Sequence, residues 1–561
     1  MTRRGLEGCA VALILGAYVA LAVHSLRQKS ATFDEPPHLA AGYTYWRLGD
    51  YRLNLEHPPL VKRLAAVPLL FADVKMETDT RPWLRPKQWD FARAFLYEWN
   101  DGDPLLNRGR LMIVGLGVLL CLAVYAWSRR QAGTAAGLLS LVLCASSPDV
   151  LAHGQLVTTD LGAALFTFVT VAAFALVLER ATPARVAAAG LGLGALLATK
   201  FSGVALLPIL ALIAAVAAWD APPAMRGRRW LRLLGVIGVM AMVALAVVWA
   251  AYGFQPAISP DPSAPTVDWD GVMPSSPTLV TAAHAVRAVH LLPDAYVYGF
   301  LMFRHHAQER PAFLNGELSR DGWPHYFLVT FLLKTPLPLL LLLAVLALPP
   351  WRRPESWTAA AVQWIPVAAY AGFALTSRLN IGHRHLLPLY PFLFVAAGRL
   401  AAHADVRRRV AAGVAAAASV AVALWIHPDH LSYFNLLAGG PAQGYRHLVD
   451  SNLDWGQDLK RLKTYLDAHG IESVKLSYFG PADPAYYGIR CQRLPGHPPP
   501  KDVAGVAPGD IVAVSATHLQ GVYLERDERR LMRLLRERTP IGRVGYSIFI
   551  YQADFAWAPR P

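Results

Sequence analysis

Long runs of apolar residues, separated by short polar and often basic turns, occupy the chain as far as about Ile426. Leu111–Trp127, Leu233–Tyr252 and Phe327–Leu348 are examples, the last interrupted only by Lys334. They lack the two-residue alternation of a barrel strand. At about 17–22 residues each can cross a hydrocarbon core roughly 30 Å thick as a helix. The pattern predicts about eleven crossing helices, near 6–26, 109–127, 134–147, 161–178, 186–198, 204–219, 233–252, 327–348, 358–375, 386–400 and 410–426. Met1-Thr2-Arg3-Arg4 ahead of the first run fits a signal anchor better than a cleaved signal peptide, whose apolar region is shorter. The first helix then runs from inside to outside. The turns holding Arg129-Arg130, Arg180 with Arg185, Arg226–Arg232, Arg352-Arg353 and Arg407–Arg409 all fall inside, as the positive-inside rule expects. Residues 27–108 and 253–325 are left as two long outer loops.

Beyond His427 the pattern changes. Leu459, Leu462 and Leu466 recur at helical spacing within a predicted helix over 454–469. Strands are expected at 474–479, 510–515 and 544–551, and a second helix at 525–538. The expected fold is a polytopic α-helical membrane protein with a small extracytoplasmic C-terminal α/β domain. Its parts are a membrane catalytic domain over 1–427 and an outer domain over 428–561.

Composition agrees. Hydrophobic residues make up 54% and charged residues 16%, against about 25% charged in soluble proteins. The net charge of +14 does not imply nucleic-acid binding, because the basic residues cluster in the short turns. Four cysteines, without a CxxC or Cys/His spacing, make neither a disulfide framework nor a zinc site.

Candidate chemistry gathers on the outer side. Asp34-Glu35, followed by Pro36-Pro37, is either a hydrated helix-end pair or a general base with or without a metal. Glu56-His57-Pro58-Pro59 is a helix-starting turn or places His57 on a substrate. Thr158-Thr159-Asp160 is a helix cap or a partnered carboxylate. Lys200 is a snorkelling lysine or a phosphate ligand. His383-Arg384-His385 puts three potential cations outside, against the positive-inside bias, which favours an anion site with Arg384 able to bind phosphate bidentately.

The order of these motifs resembles the integral-membrane glycosyltransferases of the GT-C fold, in the protein O-mannosyltransferase and aminoarabinose-transferase group (glycosyltransferase family 39-like). Ala198-Thr199-Lys200-Phe201-Ser202 belongs to the likeness. Arg384-His385-Leu386-Leu387-Pro388, Asp454-Trp455-Gly456-Gln457-Asp458-Leu459, Ser477-Tyr478-Phe479-Gly480 and Asp483-Pro484-Ala485-Tyr486-Tyr487 resemble a bacterial branch of that group. The resemblance implies sugar transfer from a polyprenyl-phosphate donor to a hydroxyl of a lipid, glycan or protein acceptor. Transfer is implied on the outer face of the cytoplasmic membrane. It implies Asp34 as base, Glu35 as its catalytic neighbour, and Lys200 and Arg384 on the donor phosphate, with His57-Pro58-Pro59 resembling the His-Pro-Pro of the mannosyltransferases; His383 and His385, from the basic turn, complete the expected substrate-binding groups. It also leaves open a divalent metal ion at Asp160 and Asp34. The rival readings are a transferase of another lipid-linked group, such as an oligosaccharide or phospho-group, and a transporter. The large outer loops and the absence of two related halves weigh against the transporter.

Overall fold

The computed structural model describes residues 2–265, 267–274, 276–306, 310–348 and 356–559. Among these residues eight helices are long and apolar enough to cross a membrane, or nine if the bent pair Tyr326–Lys334 and Leu337–Ala347 forms one span. The chain is a multi-pass membrane protein. The helix over Gly102–Ala145 is two antiparallel arms, because Gly133 (φ 84°, ψ 179°) leaves the helical region. Such a φ suits glycine, which has no Cβ to clash. Across the arms Cys121 Sγ lies 3.6 Å from Cys144 Sγ. The helices expected at 109–127 and 134–147 are therefore both present. Pro183–Leu197 is apolar but only 15 residues long.

One expected span is not straight. The run at 327–348 bends by 109° between its two helices. Pro336 offers no amide hydrogen to carry the helix on. Asn435 satisfies the freed carbonyls, its side-chain amide donating to Leu332 O (2.6 Å) and Thr335 O (2.8 Å). Arg352 and Arg353, expected in an inner turn, lie outside the described residues. Other arginine turns meet at one end of the bundle. Arg130 pairs with Glu179 (2.7 Å), Arg129 with Glu7 (2.5 Å), and Arg399 donates to Gln131 (2.7 Å).

The loop over 27–108 folds into helices, with Glu35–Leu48 packed on Leu60–Ala66. The contact is close: a Cβ on Gly42 would stand 2.1 Å from the Lys62 carbonyl oxygen. The segment after Pro59 is tied inward. Lys62 is fully buried and donates to Tyr45 Oη (2.8 Å), Asn54 O (2.7 Å) and His57 O (2.7 Å). A buried ammonium needs such partners, and these fix the turn that carries Glu56 and His57. The loop over 253–325 holds the helices Pro277–Ala288 and Asp294–His306. A hairpin of β1 (Ala312–Leu314) and β2 (Glu317–Ser319) follows.

Near the C-terminus lie β3 (Val474–Ser477), β4 (Cys491–Arg493), β5 (Ile511–Ser515), β6 (Gly542–Val544) and β7 (Ile548–Gln552). They form one sheet in the order β4-β3-β5-β7-β6. β3 runs parallel to β4 and β5, while β7 is antiparallel to β5 and β6. The strand expected at 544–551 is thus a hairpin, and β4 has no counterpart in the sequence reading. Leu459, Leu462 and Leu466 are buried on the helix Leu459–Ala468, the apolar stripe the spacing predicts. That helix begins five residues later than expected, because residues 454–458 do something else.

Candidate functional site

Residues 454–458 lie alongside the segment that leads into Asp34. Phe33 N–H donates to Trp455 O and Ser30 N–H to Gln457 O, both at 2.9 Å. Ser30 Oγ donates to Gly456 O (2.8 Å). Lys29 bonds Asp429 and Asp458. A motif near the C-terminal end of the chain thereby holds the approach to the first outer helix. Asp454, behind it, accepts from Thr517 N–H (2.9 Å), and burial pushes its carboxyl up to about 8.

Asp34 is the N-cap residue and Glu35 the first residue of Glu35–Leu48, with prolines following in the first turn, where their missing amide hydrogens cost nothing. The two carboxylates have opposite surroundings. The Glu35 side chain is wholly buried, while that of Asp34 keeps 20% of its surface exposed. Glu35 accepts from Arg110 Nε (2.8 Å) and Arg110 Nη2 (2.6 Å). It also accepts from Thr32 N–H (2.8 Å), Thr32 Oγ1 (3.0 Å) and Val157 N–H (2.9 Å). With both oxygens hydrogen-bonded and no exposed surface, Glu35 is held as an anchor, apart from the partly exposed Asp34.

Asp34 joins a chain of charges. Arg384 Nη1 lies 2.9 Å from Asp34 Oδ2 and 3.3 Å from Asp160 Oδ2. Lys200 Nζ lies 2.5 Å from Asp160 Oδ1. Asp160 opens the helix Asp160–Glu179, Lys200 stands between Pro183–Leu197 and the turn Phe201–Ala205, and Arg384 sits in the turn His383–Leu389. Gly382 lets that turn seat closely, since a Cβ there would stand 2.2 Å from Ser451 Oγ. The Arg384 guanidinium lies over the Trp455 ring, 4.2 Å from its centroid, a favourable cation–π arrangement. Among the described residues Arg384 Nε, His385 Nε2, His153 Nδ1 and Thr158 Oγ1 are buried without a hydrogen-bond partner.

The histidines divide. His57 meets His38 edge-on, with ring centroids 5.1 Å apart. Burial drives the His57 imidazole well below its ordinary value and that of His38 to about 4. Both are neutral, and His38 Nδ1–H donates to Val157 O (2.8 Å). His385 faces the charge chain, with Lys200, Arg384 and Asp160 as its electrostatic neighbours. His383 does not join them. It is buried, its Nε2 2.6 Å from Tyr390 Oη and its Nδ1 3.3 Å from Thr330 Oγ1. Those contacts, with its backbone N–H on Asn452 Oδ1 (2.8 Å), occupy His383 within the bundle rather than in the chain of charges.

Both Asp160 oxygens are already ion-paired, and no cluster of three or more His, Cys, Asp or Glu among the described residues is arranged to hold a metal ion.

A cavity of about 1300 Å³ opens beside Phe33 and Pro36, the residues flanking Asp34 and Glu35. Its lining includes Glu56, Trp89, Arg310 and residues 475–476 and 492–494 around β3 and β4. Phe33 stacks on Phe479 (5.2 Å between centroids) and meets Trp89 edge-on (4.8 Å). Arg310 sits near Tyr523, Asp450 and Asp34. The sequence reading missed Arg310 and Arg110, which carry no motif, and found Trp455 without a role for it.

No family model matches the chain, and no curated protein does. Solved structures do. ArnT from Cupriavidus metallidurans bound to undecaprenyl phosphate is 14% identical, with a TM-score of 0.45, over 96% of this chain and 97% of that one. The Archaeoglobus fulgidus oligosaccharyltransferase in complex with zinc and sulfate is 13% identical, with a TM-score of 0.42, over 91% and 70%. The S. cerevisiae protein O-mannosyltransferase Pmt1-Pmt2 complex bound to the sugar donor is 18% identical, with a TM-score of 0.32, over 44% of this chain. There the match spans 34% of the yeast chain.

Proposed function

We propose that this protein is a membrane glycosyltransferase that moves a sugar from a polyprenyl-phosphate donor to an acceptor hydroxyl. The observation that carries the reading is the chain Asp34–Arg384–Asp160–Lys200, whose first member lies in sequence between Phe33 and Pro36, two residues that line a large cavity. Such a transfer needs a base for the acceptor hydroxyl and cations for a departing phosphate. The phosphate is a weak enough base to leave without protonation. Asp34, partly exposed and flanked by the cavity-lining Phe33 and Pro36, is the base. Lys200 and Arg384 neutralise the phosphate, and the spare Arg384 Nε gives the guanidinium a donor for it. His57 and His385 border the same region as polar contacts for the sugar or the phosphate. No metal enters this scheme, because both Asp160 oxygens hold cations of the protein itself. The motif order in the sequence supports the same assignment, and it assigns the transfer to the outer face of the membrane.

Purified protein in lipid nanodiscs, given a panel of radiolabelled polyprenyl-phosphate sugars, tests it. At least one donor should release its sugar to an acceptor fraction, and Asp34→Asn should lower that rate by about a hundredfold or more, the scale of losing a general base. Undiminished transfer by Asp34→Asn would remove Asp34 as base. Turnover of a lipid-linked oligosaccharide alone would move the protein to the neighbouring transferase class.

A further inference from the structure

We infer that the cavity beside Phe33 and Pro36 is the acceptor site, and that the acceptor it takes is a saccharide chain. The inference rests on the proposed transfer and supplies the acceptor class which that reading leaves open. Three outer parts of the chain build the walls. The loop over 27–108 gives Phe33, Glu56 and Trp89, and the segment after the helix Asp294–His306 gives Arg310. The C-terminal domain gives residues of β3 and β4 and all of 496–505. Arg310 has Asp34 among its electrostatic neighbours, which brings that wall to the neighbourhood of the proposed base. At about 1300 Å³ the cavity exceeds the roughly 300–1,000 Å³ of a small-molecule site, which suits several linked sugar rings better than one.

A sugar ring presents C–H groups on its faces and hydroxyls around its rim, and the lining meets both. The C–H groups rest on the negative faces of aromatic rings, which Phe33, Trp89 and His497 supply. Four rings brace one another at this wall. Phe33 stacks on Phe479 (5.2 Å) and His497 (5.9 Å), and Tyr523 stacks on Phe479 (5.4 Å) and His497 (4.9 Å). Trp89 meets Phe33 edge-on and keeps 39% of its surface exposed. Each hydroxyl both donates and accepts, and the lining mixes the two: Arg310, Arg493 and Lys501 stand with Glu56, Asp90 and Asp502. A polyanion calls for walls of one sign, and a lipid tail for walls without charge. An extended peptide docks by adding a strand to an open sheet edge. β4 is the edge strand on this side, and Ala504 N–H already bonds Arg493 O there (2.8 Å), so that edge is covered. In the transfer, a hydroxyl oxygen of the saccharide bonds to the anomeric carbon of the donor sugar. The bond from that carbon to the phosphate oxygen breaks, its electron pair stays on the polyprenyl phosphate, and the hydroxyl proton passes to the base.

The test gives the protein in lipid nanodiscs each labelled polyprenyl-phosphate sugar, with whole cell-envelope material of the source organism as acceptor. Products are partially hydrolysed, and the residue joined to the label is identified by mass spectrometry. The label should be joined to another sugar. A label joined to a Ser or Thr side chain, or to a lipid hydroxyl, would overturn the saccharide class and leave the transfer standing. No transfer in any pairing would overturn both. Trp89→Ala should raise the amount of envelope needed for half-maximal rate about tenfold, and Trp89→Phe, which keeps a ring face, should restore most of the loss. Arg493→Gln should raise that amount about threefold or more. Binding of polyprenyl phosphate, measured separately, should stay within about a factor of two in all three variants, which reports that each is folded. An unchanged envelope dependence in both Trp89→Ala and Arg493→Gln would remove the cavity as the acceptor site. A fall in polyprenyl-phosphate binding that matches the loss would give the cavity to the donor and overturn the inference.

Discussion

Replacing Glu35 with Gln separates an anchor from a catalyst, and the structure sets the size of the effect. The substitution is nearly isosteric. It removes a negative charge that meets a guanidinium with no exposed surface on either side chain. It also turns one acceptor oxygen into a donor nitrogen, facing Arg110 Nη2 and Thr32 N–H or Arg110 Nε and Val157 N–H. Breaking a buried ion pair by removing one partner costs about 3–5 kcal/mol, because the other charge stays buried and uncompensated. That is a large part of a typical folding free energy of about 5–15 kcal/mol. Heating the detergent-solubilised protein and following the folded fraction by size-exclusion fluorescence should show a drop of roughly 5 °C or more for Glu35→Gln. Asp34→Asn leaves Arg384 its second carboxylate partner, Asp160, and should melt closer to the wild type than Glu35→Gln. Transfer per folded molecule should reverse the order, retained in Glu35→Gln and lost in Asp34→Asn. A Glu35→Gln protein that melts like the wild type yet transfers no sugar would refute the anchoring argument and return Glu35 to the chemistry.

Two further outcomes follow from particular contacts. Lys200→Gln removes one cation from the proposed phosphate site and leaves Asp160 paired with Arg384 alone. Steady-state kinetics should show the donor KM raised about tenfold or more, with the acceptor KM within a factor of two to three; an unchanged donor KM would exclude Lys200 from that site. Asp454 has its carboxyl raised from 3.8 to about 8 by burial, so the native state holds a proton that the unfolded chain has lost between those values. Stability then falls as pH rises through that window, by at most about 1.4 kcal/mol per pH unit. Asp454→Asn, neutral throughout, should lose less thermal stability between about pH 6 and pH 8 than wild type, and equal losses would show that Asp454 is ionised in the native state.

The membrane helices were legible because uncharged runs of spanning length have few other meanings. Even the short arm after Gly133 was marked by the basic turn Ser128-Arg129-Arg130 before it. The break at Pro336 was signalled by the proline, but the bend depends on Asn435 satisfying carbonyls from a hundred residues away. No local pattern carries that. The same limit applies to the site. Asp34, Asp160, Lys200 and Arg384 stood out as charges at helix ends, where burial demands a partner. Arg110 lies within an apolar run and Arg310 in a long loop, so nothing local distinguished either from a solvated arginine. Residues 454–458 were read as the start of a helix, because Leu459 onward has helical spacing. Their pairing with residues 30–33 is a contact between distant parts of the chain that spacing cannot show.

The two adjacent carboxylates show why sequence adjacency misleads at such a site. Successive residues entering a helix project about 100° apart around its axis. A pair at the N-cap and first helical position therefore need not face the same cleft. Asp34 turns toward Arg384, and Glu35 turns into the bundle toward Arg110. The inward carboxylate fixes the outward one: Glu35 also takes the backbone N–H of Thr32 and of Val157. This ties the start of the helix to the segment just ahead of Asp160. Rigid placement of Asp34 relative to Asp160 is what allows a single guanidinium to bridge them at 2.9 and 3.3 Å. The buried pair thus helps set the distance over which Arg384 bridges Asp34 and Asp160.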